Sequence, residues 1–316
     1  MKSRHLRVLE TRFDAGESVY LARELESIDR TLYETKYPDL RALDFVPVIG
    51  GVDPGAELYT WRLLDWQGMA KMLAGKANDL PEADATQSEN YTPIRGFGAK
   101  YSYSVQDLRR IAQAARNGSS VQLDRERARA AKMMVDRKID DVICFGEANA
   151  GGITGLLNNS NIPLVTPITG AWTGGVTTAA QMLADLQKLE KAVYTNSKGM
   201  MPADTLLLPL DQYAVVAQTP LGTNNDKTVL QFFLANALSI KTVEPWYKLA
   251  LANAARNGPR AVAYRRDTMV VGALAPLLFE TQPPQPVGMN FEVPCEARCG
   301  GTVVRYPFAC AYMDSI

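Results

Sequence analysis

The chain has 316 residues, room for one large domain or two modest ones, and its 47% apolar and 22% charged residues exclude wholesale disorder and a collagen-like fibre. Lys plus Arg (34) balance Asp plus Glu (34), so no global field draws the chain onto nucleic acid or an anionic membrane. Chemistry that needs a positioned imidazole, from Ser-His-Asp triads to His-rich metal sites, would have to run through one residue, His5, and is not expected.

In chain order, the first twelve residues carry Lys2, Arg4, Arg7 and Arg12 against Glu10, a basic start that reads as an extended arm. MKSRHLRVLE has no apolar signal-peptide core, so Cys144, Cys295, Cys299 and Cys310 read as reduced, buried thiols rather than a disulfide scaffold. From Ser18, the residues Val19, Ala22, Leu25, Ile28 and Leu32 recur at helical spacing, and Pro38 closes that helix.

Residues 58–64 (LYTWRLL) read as a strand, and residues 97–105 alternate, with Phe97, Ala99, Tyr101, Tyr103 and Val105 on one face. The segment between them holds Trp66, Met69, Met72 and Leu73 and then the acidic NDLPEAD. So long a connection is uncommon in a compact domain and is usually functional. As a two-stranded ribbon it would be marginal alone, and its apolar residues would need a surface to cover; the nearest such surface is another copy of the chain.

Residues 123–144 are the strongest helix, with Ala128, Ala131, Val135, Ile139 and Val142 as a narrow apolar stripe on a rod of roughly 33 Å. Asp140 and Asp141 are adjacent, do not face one site, and are expected on a solvated face. The uncharged stretch from Ala148 to Ala184 is broken by glycines and prolines and reads as loops, and no membrane span is expected. A mixed unit follows: helix 178–194 with Met182, Leu186, Leu189 and Val193 inward, a buried strand at 205–210, helices at 211–218 and 228–237, and strands near 240–245, 260–265 and 269–274. This suggests a sheet covered by helices. Pro283, Pro284 and Pro286 mark a boundary, beyond which residues 291–299 alternate, Gly300-Gly301 offers a two-residue hairpin turn, and residues 302–313 return as a second strand.

Cys295-x-x-x-Cys299 invites a metal reading, but alternation puts both thiols on the apolar face with Ala297, and buried packing is expected. The sequence contains no GxSxG, GxxxxGK[ST] or HExxH, and GFGAK at residues 96–100 lacks the third glycine of a dinucleotide loop. Neither catalytic nor cofactor-binding nor metal-ligating residues are assigned.

Four segments, LARELESIDRTLYETKYPDLRAL (21–43), DPGAELYTWR (53–62), KANDLPEAD (76–84) and the C-terminal PPQPVGMNFEVPCEARCGGTVVRYPFACAYMDSI (283–316), resemble those of tailed-phage major capsid proteins with the Hong Kong 97-type fold. DTLLLPLDQY (204–213) and the VEPWY around Trp246 extend the resemblance over nearly the whole chain.

The resemblance implies an α+β fold: an N-arm with a short helix (1–45), an E-loop (46–104), a P-domain segment with the spine helix (105–160), an A-domain (161–282), and C-terminal P-domain strands (283–316). It implies a structural protein, not an enzyme. Pentamers and hexamers would close an icosahedral shell around double-stranded DNA, with the chain assembled in the host cytoplasm and resident in the virion. It further implies a portal protein as partner, and separate scaffolding and decoration proteins remain open. Trp61, Trp66, Met69, Lys71, Met72 and Lys76 of the E-loop are expected against a neighbouring subunit, with the chain's own core as the alternative for the apolar four. Lys2, Arg4, Arg7 and Arg12 either face the genome or lock onto a neighbour. Some relatives join an E-loop Lys to a P-domain Asn; Lys71, Lys76 and Asn290 are the candidates, but no motif pins the pair. The rivals are an encapsulin-like compartment packaging protein cargo, and a metabolic enzyme built on the mixed unit.

Overall fold

A computed structural model describes residues 35–72, 80–116, 123–168, 170–173, 177–222, 225–250 and 258–316. By its internal contacts the chain divides into Met1–Asp39 and Leu40–Ile316. In the first unit, residues 35–39 are exposed and without regular structure, and the helix expected from Ser18 lies outside the described residues.

In the second unit a one-turn helix α1 (Ala42–Phe45) precedes strands β1 (Leu58–Gln67), β2 (Asp84–Pro93) and β3 (Arg95–Ser104). Helices α2 (Val105–Arg116) and α3 (Leu123–Phe145) follow, then the short strands β4 (Gly146–Glu147), β5 (Ile153–Thr154) and β6 (Leu164–Val165). The mixed unit comprises α4 (Ala179–Asn196), β7 (Thr205–Leu208), α5 (Leu210–Gln218), β8 (Pro220–Gly222), β9 (Asn225–Thr228), α6 (Val229–Asn236), β10 (Thr242–Pro245) and β11 (Arg260–Tyr264). The chain finishes with β12 (Val271–Ala273), β13 (Leu277–Thr281), β14 (Gln285–Val287), β15 (Asn290–Cys299), β16 (Thr302–Val304) and β17 (Cys310–Asp314).

The period-two pattern of residues 97–103 is matched by that of residues 291–297. Phe97 lies opposite Ala297, Ala99 opposite Cys295, Tyr101 opposite Val293 and Tyr103 opposite Phe291, so the two apolar rows share one face. The Tyr103 and Phe291 rings stack at 5.5 Å. On its other edge β15 pairs with β13 and β14, which completes a four-stranded sheet. The stripe of α3, with Ala131, Val135, Ile139 and Val142 buried, belongs with Ala297, Cys299, Phe97 and Phe279 to one core.

A second sheet has the order β10-β7-β11-β17-β6, with parallel pairs at both ends and antiparallel pairs between. Both its faces are buried, which is why β7 and β11 read as unbroken apolar runs rather than alternating ones. Leu206, Leu208, Ala261, Ala263, Ala311 and Met313 join Met182, Leu186, Leu189 and Val193 of α4 in one core. Leu207, Val262, Tyr264 and Tyr312, on the other face, join the core of α3. Thr228 and Gln231 close a capping box at the start of α6, the backbone N–H of each donating to the side-chain oxygen of the other at 3.3 Å.

Three expectations are corrected. Residues 58–67 pair with β2 through ten pairs from Leu58↔Pro93 to Gln67↔Asp84, while the strand expected at residues 97–105 ends at Ser104 and pairs along its whole length with β15. Val105 opens a helix instead of ending that strand. Second, residues 290–299 and 302–313 do not form a hairpin: β16 pairs with β12, and β17 lies inside the five-stranded sheet. Gly300 and Gly301 serve close approach, since a Cβ would lie 2.5 Å from Leu274 Cδ2 at the first and 2.4 Å from the Thr154 carbonyl oxygen at the second, where φ is +74°.

The third correction concerns Asp140, which is buried, whereas the neighbouring Asp141 keeps a side chain 45% exposed, as expected. Lys248, 2% exposed, forms ion pairs with both carboxylates, that of Asp141 at 2.6 Å, while Asp140 Oδ1 accepts the Ala42 N–H at 2.7 Å. A long ammonium reaching in from another segment can satisfy two adjacent helical acids that do not themselves converge. Burial alone would pull the Lys248 pKa down, but the neighbouring anionic groups and hydrogen bonds outweigh it and hold it above the ordinary value. The clamp ties α3 to the turn after β10 and to α1.

Lys248→Met would strand the buried Asp140 carboxylate, and a loss of about 3–5 kcal/mol is expected in chemical denaturation of the unassembled chain, with partial recovery when Asp140→Leu is added. All four thiols are buried, and burial raises the pKa of Cys299 to about 11 and of Cys310 to about 12. A disulfide-exchange reagent at pH 8 is therefore expected to leave the folded protein unlabelled and to modify all four cysteines once it is unfolded.

Candidate assembly surface

The β1–β2 ribbon has a rooted base and an unsupported end. Residues 59, 61 and 63 of β1 are half-buried, every position from Leu64 to Gln67 is exposed on both faces, and in β2 only Thr92 and Pro93 are buried. Ten residues per strand give a ribbon of about 33 Å. It is a two-stranded sheet of its own, and no other strand extends it among the described residues.

The root is well fixed. Tyr59 and Trp61 stack at 6.1 Å and pack on Ile94, Leu274 and Val303. Arg305 donates to the Tyr59 hydroxyl at 2.7 Å, Arg298 donates to the Pro54 carbonyl, and the Ile94 N–H donates to the Glu57 carbonyl at 2.8 Å. Immediately upstream, the Ala273 N–H donates to Pro47 O at 2.8 Å and the Ile49 N–H to Ala273 O at 2.9 Å.

Beyond the root the side chains are large and wet. Trp66 is 81% exposed, Met69 74% and Met72 97%, with Leu64 and Leu80 also exposed. An aromatic side chain buries roughly 150–250 Å², so covering Trp66 alone is worth about 4–6 kcal/mol at 25 cal/mol per Å². Large apolar side chains gathered on one projecting element are seldom left open to solvent in a monomer. At the bend, Gly68 lets the Ala83 backbone approach: a Cβ there would lie 2.9 Å from Ala83 Cα.

The expected contact residues thus divide. Trp66, Met69 and Met72 stand on the open end, and Lys71 is exposed beside them. Trp61 packs on its own chain at the root, the alternative reading for that residue. Lys76, and the arm residues Lys2, Arg4, Arg7 and Arg12, lie outside the described residues. Gly96 and Gly98 sit in the paired strand β3. The sequence reading missed the Lys248 clamp and also Arg260, which holds the Asp314 carboxylate at 2.5 and 2.6 Å and donates to Leu157 O at 2.5 Å. Charged residues inside the apolar runs 246–249 and 260–264 were the available signals for both.

Solved structures share this architecture. The capsid of Myoviridae phage XM1 superposes with a TM-score of 0.81 at 18% identity, over 95% of this chain and 100% of that one. Mycobacterium phage Bobi matches with a TM-score of 0.61 at 14% identity, over 92% and 94% of the two chains. A virus-like particle from Pyrococcus furiosus matches with a TM-score of 0.51 at 11% identity, over 86% and 91%. No curated protein sequence matches. The fold is therefore the α+β fold of phage capsids. Residues 68–316, well over half of the chain, match the family model described as "Major capsid protein", and the chain belongs to that family, whose members are structural components of the virion. No described helix is long and apolar enough to cross a membrane.

Trp66→Ser with Met72→Ser removes apolar surface that the protomer does not use internally. The unfolding midpoint of the unassembled chain should stay within the error of about 0.5 kcal/mol, while light scattering under assembly conditions should show particle formation lost.

Proposed function

We propose that this major capsid protein assembles through its β1–β2 ribbon, the E-loop of the fold, into pentamers and hexamers that close an icosahedral shell around the double-stranded DNA of a tailed phage. The observation that carries this reading is the ribbon end itself, where Leu64 and Trp66 stand exposed on one face and Met69 and Met72 are exposed just beyond the strand. A second copy offers a surface at fixed stoichiometry, and a repeated modest interface of about 1,600 Å² suffices when many copies contact one another. In the same reading α3 is the spine of the P-domain and the five-stranded sheet the core of the A-domain. The N-terminal basic arm meets either DNA or a neighbour, and a portal occupies one vertex.

Identical chains in five-fold and six-fold rings cannot make identical contacts. A ribbon rooted at Tyr59 and Trp61 but free at its end accommodates the difference by bending, while two packed cores on either side of one sheet resist it. The compartment reading draws on the virus-like particle match, but that likeness is weaker than the one to the phage XM1 capsid.

Electron microscopy of the purified full-length chain is expected to show closed shells, and particles from an infection should hold nuclease-protected DNA. Protein cargo in place of DNA would support the compartment instead. A monomer with the ribbon folded on its own body would overturn both.

A further inference from the structure

We propose that helices α2 and α3 form a binding surface for the phosphodiester backbone of duplex DNA, contacting it through arginine-rich rows on their solvent side. The inference rests on the shell reading above, which supplies the DNA, and adds where the chain meets it. Over the whole chain the charges cancel, 34 against 34. Between Val105 and Lys138, however, seven Arg and two Lys stand against four Asp and Glu, a local excess of five positive charges.

The placement of these charges fits a phosphate track. Arg109, Arg110 and Arg116 on α2 and Arg125, Arg129 and Lys132 on α3 are all exposed. On α3 the three recur at i, i+4 and i+7, on a flank of the helix beside its buried stripe. They are spaced about 6 and 4.5 Å along the axis, and Asp136 closes the row. That row of about 10.5 Å spans about three phosphates of one strand, whose axial spacing is 3.4 Å. Arginine predominates, and its planar fork suits two-point contact with phosphate oxygens.

Asp107 pairs with Arg110 of its own helix at 3.6 Å and joins the two halves of the surface. Its carboxylate accepts the Ser104 N–H at 3.3 Å and meets Arg127 of α3 at 3.3 Å, and these contacts hold its pKa below the ordinary value. Arg127 also donates to Ser102 O at 2.8 Å.

The competing occupant is the ribbon of a sibling copy, and its chemistry is different. The ribbon presents Trp66, Met69 and Met72, and its Glu89 is already paired with Arg62 at 2.6 Å. The ribbon end also exposes Asp65, Glu82 and Asp84, but these few acids stand beside apolar side chains that gain nothing from a row of guanidinium groups, whereas a duplex offers a phosphate at about every 3.4 Å of each strand. A polyanion gains from each of these cations through release of its condensed counterions.

The test is fluorescence anisotropy of a labelled 30-base-pair duplex with the purified full-length chain across a salt series, in parallel with electron microscopy of assembly. Arg125→Gln/Arg129→Gln/Lys132→Gln is expected to reduce the slope of log affinity against log salt by about 2.7, and to weaken binding at least tenfold at 100 mM salt, with shells still formed. Each single substitution is expected to reduce the slope by about 0.9, so the readout survives if the triple variant folds poorly. Arg125→Lys/Arg129→Lys should keep the slope. An unchanged slope in folded variants overturns the proposal and leaves the shell reading standing. Failure of the shell reading shows separately, as wild-type chain that forms no particles. Loss of shells in the triple variant, restored by Asp65→Asn/Glu82→Gln/Asp84→Asn, would assign the surface to a sibling's ribbon and overturn it as well.

Discussion

A two-stranded ribbon has two faces and no layer of its own to place on either, and the organisation of this protein follows from that constraint. Along β1 the alternation of half-buried and exposed positions stops at Leu63, where the body of the chain ends, and beyond it both faces are open to solvent, one of them carrying Leu64 and Trp66. In a self-sufficient domain such a segment would be short, charged or folded back. Here it is long, and Trp66 and Met72 are among its most exposed residues. The free energy that would order it lies outside the protomer, which is the physical content of membership in a shell-forming family.

A projecting element transmits load, so its root has to be stiffer than its end. The segments that hold the root come from distant parts of the sequence: Arg298 and Arg305 from the C-terminal strands, Ala273 from β12, and Leu274 beneath Trp61. Farther in, the Lys248 clamp and the Arg260–Asp314 pair fix α3 and β17 at points where two cores share one sheet. Buried ion pairs add little net stability over apolar packing but penalise any arrangement that separates the partners. They therefore set geometry, and here they do so at the junctions between elements rather than within them.

The parts that were legible in the sequence were those governed by local periodicity. The stripe of α3, the inward row of α4 at Met182, Leu186, Leu189 and Val193, and the alternation at 97–103 all appear where the spacing placed them. Strand partnership was not legible, because pairing is a long-range choice that neighbouring residues do not encode. The alternation ending at Tyr103 serves β15 as well as it would have served β1, and only the competing order of the Asp84–Pro93 segment decides between them. Asp140 misled for a related reason: helical geometry correctly says that it diverges from Asp141, but it says nothing about a Lys248 arriving from 107 residues beyond Asp141. Asp185, which accepts the Trp172 indole N–H at 3.0 Å and the Ile168 N–H at 2.6 Å, was hidden among apolar neighbours in the same way. Residue type alone did not separate the exposed Trp66, Met69 and Met72 from Trp61, whose place at the root required the structure.

The distribution of charge completes the physical picture. A chain packed densely beside copies of itself gains from zero net charge, since any uniform excess would multiply with copy number and oppose closure. Neutrality alone would leave every surface equally attractive to every other. The chain instead separates its surface chemistry, with large apolar side chains gathered on the ribbon end and arginines gathered along α2 and α3. Each surface then rejects the other's partner, the first because it cannot satisfy a phosphate and the second because burying its cations against hydrocarbon costs more than it returns. Position along the chain, rather than any difference in total composition, is what separates the two kinds of surface.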